Sequence, residues 1–212
     1  MIVCGFVQAG GGSTRFGTDK ALAKIGGKTM LERTGQLLAD VCESVTVVAP
    51  KGKYSDLPWD FTPDSWPGQG PLGGILSALL RLTDSIFPDE SRSAEDGLRA
   101  LIVSCDMPFL TGEFLVYLRE RISKSDALVV VPQSANGLEP LCAGWSPRAI
   151  VGVQAAFDSG VRKVTQAMKQ LPMEVLDERV WKRFDKDNRL FWNMNTPADF
   201  EEARRILEAP ER

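Results

Sequence analysis

The sequence predicts an α/β protein built on a mostly parallel central sheet. Three observations carry that reading. Short, continuous apolar runs rich in valine and isoleucine recur at Ile2–Gln8, Ser44–Ala49, Ala100–Cys105 and Ala127–Val131; runs without polar alternation mark strands buried on both faces. Stretches with helical spacing separate them, the order that gives parallel βαβ units. A glycine-rich segment follows the first strand directly, where open parallel sheets bind ligands.

The elements follow in order. Ile2–Gln8 reads as a buried strand, and Ala9 to Gly27 as a loop without helical periodicity. Met30, Leu31, Leu37, Leu38 and Val41 share one helical face, so a helix is expected over 28–42. Ser44–Ala49 is a second strand, stopped by Pro50. Residues 50–71, rich in Pro, Asp and Trp, read as loop with one short strand at Asp60–Pro63. Leu72, Ile75, Leu76, Leu79 and Leu80 mark the next amphipathic helix, and the polar, acidic stretch 84–98 reads as a solvated insertion. After the strand Ala100–Cys105 come a helix over Thr111–Ile122, the strand Ala127–Val131, a weaker strand signal over Glu139–Trp145, and helices from about 147 and 162. The last helix has Thr196 as N-cap, Pro197 at N1 and Asp199 at N3, with Phe200, Ala203 and Leu207 on one face. With no internal repeat and no linker, the 212 residues read as one α/β domain with a mostly parallel sheet.

Composition removes several chemistries. The chain has no histidine, which excludes Ser-His-Asp and Cys-His nucleophilic catalysis, His-assisted zinc hydrolysis and any histidine base. Four scattered cysteines without a CxxC pair read as buried free thiols in a reducing cytoplasm. A net charge of −3 argues against a nucleic-acid partner. No apolar run is long enough to cross a membrane, and Met1 runs into Ile2-Val3-Cys4 without the basic start of a signal peptide. Carboxylates, lysine, arginine, backbone amides or a hard metal must carry the chemistry.

Seven of the 19 glycines fall within residues 1–30, together with Arg15, Lys20, Lys24 and Lys28 against the single acid Asp19. Glycines let amide groups wrap phosphate oxygens, and the cations supply countercharge, so this segment is an anion-site candidate. Neither familiar phosphate motif is present. Leu22 stands where a P-loop ending in Gly27-Lys28-Thr29 needs its first glycine, and Arg15 breaks the dinucleotide fingerprint after Gly12.

The order of residues is more specific. Ala9-Gly10-Gly11-Gly12-Ser13-Thr14-Arg15-Phe16-Gly17-Thr18-Asp19-Lys20-Ala21-Leu22 resembles A-G-G-x-S-x-R-x-G-x-D-K-A-L, the opening signature of the MobA-like nucleotidyltransferase family. Gly70-Pro71-Leu72-Gly73-Gly74-Ile75, Ser104-Cys105-Asp106-Met107-Pro108-Phe109, Glu139-Pro140-Leu141, Gly160-Val161-Arg162-Lys163-Val164 and Asn193-Met194-Asn195-Thr196-Pro197 resemble further motifs of the family, in order.

The resemblance implies the three-layer, Rossmann-like nucleotidyltransferase fold with a mostly parallel central sheet, 1–110 as the nucleotide-binding half and 111–212 as the acceptor-binding half. It implies an enzyme that moves GMP from GTP to molybdenum-molybdopterin and releases pyrophosphate with Mg²⁺, and it admits other proteins of molybdenum-cofactor synthesis as partners. An acceptor phosphate is ionised at pH 7 and needs no base from the protein, which suits a chain without histidine. The resemblance makes Arg15, Lys20 and Asp106 catalytic, with Asp106 as the metal ligand. It assigns GTP to Gln8, Ala9, Gly10, Gly11, Gly12, Lys20, Asp64, Gly74 and Asp106, with Asp64 reading guanine. It gives the acceptor Arg162, Asn193 and Asn195. Asp19 is an alternative partner for Lys20, and the aromatic residues Trp181, Phe184, Phe191 and Trp192 read first as packing and second as a pterin contact. Gln8 replaces the family's usual leucine, and Ala49 stands where some members carry asparagine. Other readings stay open: cytidylyl transfer to molybdopterin, a sugar-1-phosphate or phospholactate acceptor, or a non-catalytic nucleotide-binding protein.

Overall fold

The computed structural model describes residues 1–10, 19–54, 56–84 and 97–209. The four apolar runs join one sheet, three of them as direct neighbours. Its order is β10 (Met173–Leu176), β7 (Val129–Ser134), β9 (Cys142–Trp145), β6 (Leu98–Ser104), β1 (Ile2–Gln8), β4 (Ser44–Ala49) and β5 (Asp60–Pro63), with β8 (Gly137–Leu138) paired to β7. β1 is parallel to both β4 and β6, β4 to β5, and β10 to β7; β9 runs antiparallel between β6 and β7.

Alternation along the strands divides the core into two layers. On β1 and β6, Val3, Val7, Leu101 and Val103 face a cluster that includes Leu31 and Leu38 of α1 (Met30–Ala39) and Phe114, Leu118 and Ile122 of α3 (Gly112–Lys124). Phe6, Ala100 and Ile102 face the other side, against Ile75, Leu76 and Leu79 of α2 (Pro71–Asp84), Val153 of α4 (Ile150–Asp158) and Met168 of α5 (Val164–Met168). This is the three-layer arrangement expected, with a mostly parallel sheet.

Several boundaries move for local reasons. The helix expected over 28–42 is shorter. Lys24–Ile25 (β2) and Lys28–Thr29 (β3) form a hairpin around Gly26 and Gly27, at φ +60° and +80°. Positive φ at both central positions is what a tight two-residue hairpin turn requires. α1 then starts after Thr29, whose hydroxyl accepts from Glu32 N while the Glu32 carboxylate accepts from Thr29 N. β6 ends at Ser104, β7 occupies 129–134, and the strand expected over Glu139–Trp145 is the four residues of β9. A 3-10 turn at Pro147–Ala149 leads into α4, and β10 was not expected at all. α6 (Glu178–Trp181) follows β10, and the acidic stretch 84–98 lies almost wholly outside the described residues.

α7 (Pro197–Leu207) has the predicted cap, Thr196 with Asp199 in a reciprocal box. It docks beside the small hairpin: Ile25, Met30, Met194 and Ala203 share a third cluster bordered by Phe109, Trp192, Phe200 and Leu207. Trp181 and Phe191 are buried edge-to-face, their ring centroids 4.9 Å apart, with Phe114 5.3 Å from Phe191. Packing therefore accounts for those two aromatic residues. All four cysteines are free thiols; Cys105 and Cys142 are buried, Cys4 and Cys42 partly so. No described helix is long and apolar enough to cross a membrane.

Candidate functional site

A cleft of ≈ 350 Å³ opens at the C-terminal ends of β1, β4 and β6, the location that parallel sheets reserve for ligands. Gln8, Ala9 and Gly10 leave β1 along its wall. Ala9 N donates to Val48 O (2.9 Å) and Cys105 N to Gln8 O (3.2 Å), so the ladder fixes the strand tip up to the point where the chain turns away. Gly10 makes that turn at φ +100°, and a Cβ there would lie 2.4 Å from Pro50 Cδ. Only glycine fits.

The first turn of α2 forms another wall through Gly70, Pro71 and Gly74. Gln8 reaches across to it: Nε2 donates to Pro71 O at 2.8 Å, and a Cβ on Gly74 would stand 2.1 Å from that nitrogen. Gly74 thus makes room for the Gln8 side chain. The other amide atom, Gln8 Oε1, is buried and has no hydrogen-bond partner among the described residues. Asp64 leaves β5 into the same cleft, where its Oδ1 accepts from Trp66 N (2.9 Å) and lies 3.4 Å from the Ser77 hydroxyl. An ordinary Asx turn therefore holds it in place.

Lys20 and Asp106 meet through one segment of the C-terminal half. Lys20 Nζ donates to Met194 O (2.6 Å) and lies 3.5 Å from Asn195 Oδ1, while Met194 N donates to Asp106 O (2.9 Å). Asp106 lies two residues beyond the end of β6, and its Oδ1 accepts from the Ser104 hydroxyl at 2.6 Å. Ser104 is 8% exposed and paired in register with Gln8. Sequence reasoning gave no role to Ser104, although its place two residues before a strand-end aspartate was the available signal.

Asp19 turns toward the loop after β4. Its Oδ2 accepts from Lys53 Nζ (2.8 Å) and the Tyr54 hydroxyl (2.7 Å), and its Oδ1 from Ala21 N (3.1 Å). Burial works against the charge, but the bonds from Lys53, Tyr54 and Ala21 outweigh it and hold the carboxyl below its ordinary range. Beside Asp106 the thiol of Cys105 is driven up, by burial first and the neighbouring carboxylate second, so it stays protonated and is no nucleophile.

Seven of the expected site residues thus line one cleft: Gln8, Ala9, Gly10, Lys20, Asp64, Gly74 and Asp106. Arg15, Gly11 and Gly12 lie outside the described residues. The expected acceptor residues are less gathered. Asn195 reaches Lys20, but Asn193 Nδ2 bonds Phe191 O at 3.1 Å. The Arg162 guanidinium lies 4.0 Å from the Phe157 ring and bonds Gln69 Oε1 and Phe157 O, both at 2.8 Å. That binds it to the loop before α2 and leaves it outside the cleft lining.

A glycine-lined cleft at the ends of parallel strands, with a lysine side chain and the backbone of an aspartate both bonded to Met194, suits an α/β protein for a phosphorylated ligand. Residues 5–172 match the MobA-like NTP transferase domain, and the chain belongs to that family of nucleotidyltransferases. It is 31% identical to a protein of Chloroflexus aggregans named "Probable molybdenum cofactor guanylyltransferase", covering 94% of this chain and 92% of that one. It is 29% identical to the molybdenum cofactor guanylyltransferase of Desulfosudis oleivorans, over 98% and 96% of the two chains. Among solved structures, molybdopterin-guanine dinucleotide biosynthesis protein A of Archaeoglobus fulgidus superposes with a TM-score of 0.79, covering 96% of this chain and 97% of that one at 24% identity.

Proposed function

We propose that this protein transfers GMP from GTP to the terminal phosphate of molybdenum-molybdopterin, forming the guanine dinucleotide cofactor and pyrophosphate. The observation that carries the reading is that Lys20 and Asp106 both line the glycine-lined cleft and meet at Met194, whose carbonyl accepts from the Lys20 ammonium and whose amide donates to the Asp106 carbonyl. It agrees with the names of the two sequence relatives, both guanylyltransferases.

The reaction is an in-line displacement at the α-phosphorus, with an acceptor phosphate that is already anionic. Catalysis then rests on positioning and charge. In this reading the amides of Ala9 and Gly10 border the nucleoside, and Asp64 accepts from N1–H and N2–H₂ of guanine together. Lys20 neutralises triphosphate oxygens, and Arg15 adds charge to the same groups. Asn195, against Lys20, borders the acceptor phosphate, with Asn193 and Arg162 on that side; residues 1–110 then serve the nucleotide and 111–212 the acceptor.

The donor set fits Mg²⁺. Mg²⁺ prefers one or two carboxylates with waters and phosphate oxygens, and the Asp106 carboxylate lines the cleft. Asp106 is the carboxylate that would hold it. The metal would neutralise charge on the triphosphate. Ser104 takes one oxygen of Asp106 and so fixes the carboxylate plane.

Asp106→Ala is expected to abolish pyrophosphate release from GTP in the presence of molybdopterin while leaving the melting temperature unchanged. Wild-type turnover in that variant would remove Asp106 from the mechanism. Isothermal titration with GTP, CTP and ATP, each with Mg²⁺, tests the base: GTP is expected to bind most tightly, and a preference for CTP would replace guanylyl by cytidylyl transfer.

A further inference from the structure

Lys20 opens the 3-10 turn Lys20–Leu22, and that turn is capped by Asp19, whose side chain accepts from Ala21 N while its carbonyl accepts from Leu22 N (3.0 Å). The direction in which Lys20 leaves the backbone therefore depends on where Asp19 is held. Two residues from a distant loop hold it. Lys53 and Tyr54 both donate to Asp19 Oδ2, at 2.8 and 2.7 Å. Tyr54 does so from φ +60°, a left-handed conformation that an aromatic residue rarely adopts, two positions after Gly52 at φ +84°. Such strain persists only where the surroundings impose it. The same loop begins with Pro50, the residue packed against Gly10. Residues 50–54 thus touch Gly10 and Asp19, the two residues that flank 11–18 in the sequence.

We infer that Lys53 and Tyr54 are positioning residues for nucleotidyl transfer: by engaging Asp19 they set the turn that delivers the Lys20 ammonium to the cleft. The inference rests on the reading of Lys20 as a triphosphate ligand. Its physical content is competition as well as geometry. Asp19 is a partly buried carboxylate one residue from Lys20. Deprived of an ammonium and a hydroxyl it must find other donors, and the adjacent Lys20 is within reach of the same backbone turn. A triphosphate would then compete with Asp19 for one cation. Neither Lys53 nor Tyr54 lines the cleft, so both act through Asp19.

The test measures the dissociation constant of GTP with Mg²⁺ by titration, in the wild-type background and with Lys20→Ala. Tyr54→Phe removes only the hydroxyl and keeps the ring packed against the core. Lys53→Met removes the charge of a half-exposed side chain and so reports even if the tyrosine variant fails to fold. Each is expected to weaken GTP about three- to tenfold, and Lys53→Arg is expected to restore the wild-type value. In the Lys20→Ala background both effects should vanish, because the group they position is gone. Losses of equal size in both backgrounds would mean that the loop acts on stability or on another ligand, and would overturn the inference while leaving Lys20 in place. Unchanged affinity in Tyr54→Phe and Lys53→Met would overturn it too. Unchanged affinity in Lys20→Ala alone would remove Lys20 from the site, and with it the premise.

Discussion

Gln8 shows what one side chain can cost at a strand tip. Its Nε2 is bonded to Pro71 O, but its Oε1 is buried without a partner among the described residues. A buried unsatisfied acceptor costs about 1–3 kcal/mol, and the bond to Pro71 O returns only part of that. Gln8→Leu, close in volume and without polar atoms, is therefore expected to raise stability by about 1 kcal/mol, seen as a melting temperature about 2–4 °C higher. A lower melting temperature would mean that the Gln8–Pro71 bond outweighs the orphaned oxygen. Gln8 also shows the reach of sequence reasoning at this scale. Its departure from the family pattern was visible, but its lodging against Gly74 was not, because that contact joins residues 66 apart in sequence.

The small elements around the site are held by local chemistry that can be tested locally. α1 begins at a capping box in which Thr29 and Glu32 satisfy each other's backbone donors, 3.1 and 2.7 Å. Thr29→Ala should cost about 1 kcal/mol, read as a lower denaturation midpoint with an unchanged denaturant slope. An unchanged midpoint would show that packing alone fixes the start of α1. The box was legible in principle, since Thr29 and Glu32 have the required spacing. The expected helix nevertheless ran from 28, because the apolar period masks a cap one residue inside it. The hairpin before it was missed for another reason: β2 and β3 have two residues each, too short for any periodicity. β10, reading Met-Glu-Val-Leu, fails to alternate cleanly, and it becomes a strand through parallel pairing with β7, which is remote in sequence. The strongly apolar strands β1, β4 and β6 were legible because their runs are short and rich in β-branched residues, which marks a strand even without a period.

Across the whole molecule, the carboxylates pull stability in two directions with pH. Glu139 is 8% exposed with its Oε1 bonded to the Ser134 hydroxyl, and burial raises its pKa despite that bond. A raised folded pKa means that the native state holds the proton longer than the unfolded chain. Its penalty is absent below the ordinary glutamate range and grows as pH rises through the folded value. Asp19, Glu43 and Asp199 are shifted the opposite way: burial opposes their charge, but hydrogen bonds win, so the stability they add is lost as pH falls through their folded values. Glu139→Gln should thus match the wild type near pH 4 and exceed its stability at pH 8. Equal stability at both would show that Glu139 ionises freely in the fold.

The site was legible at the same scale as the fold. The resemblance of motifs names Lys20, Asp64, Gly74 and Asp106 as expected site residues, and strand-end position supports Asp106; all four line one cleft. The partners that aim those residues, Ser104, Met194, Lys53 and Tyr54, were not legible, because each acts through a tertiary hydrogen bond that no local pattern encodes.

The central claim is guanylyl transfer, and the most direct measurement follows label from GTP carrying ³²P at its α-phosphate, incubated with the protein, Mg²⁺ and molybdenum-molybdopterin. The account predicts that label enters the pterin product with one pyrophosphate released per transfer, and that Asp106→Ala transfers none. Label that stays in GTP while the wild-type protein binds the nucleotide, or faster transfer from CTP, would contradict it.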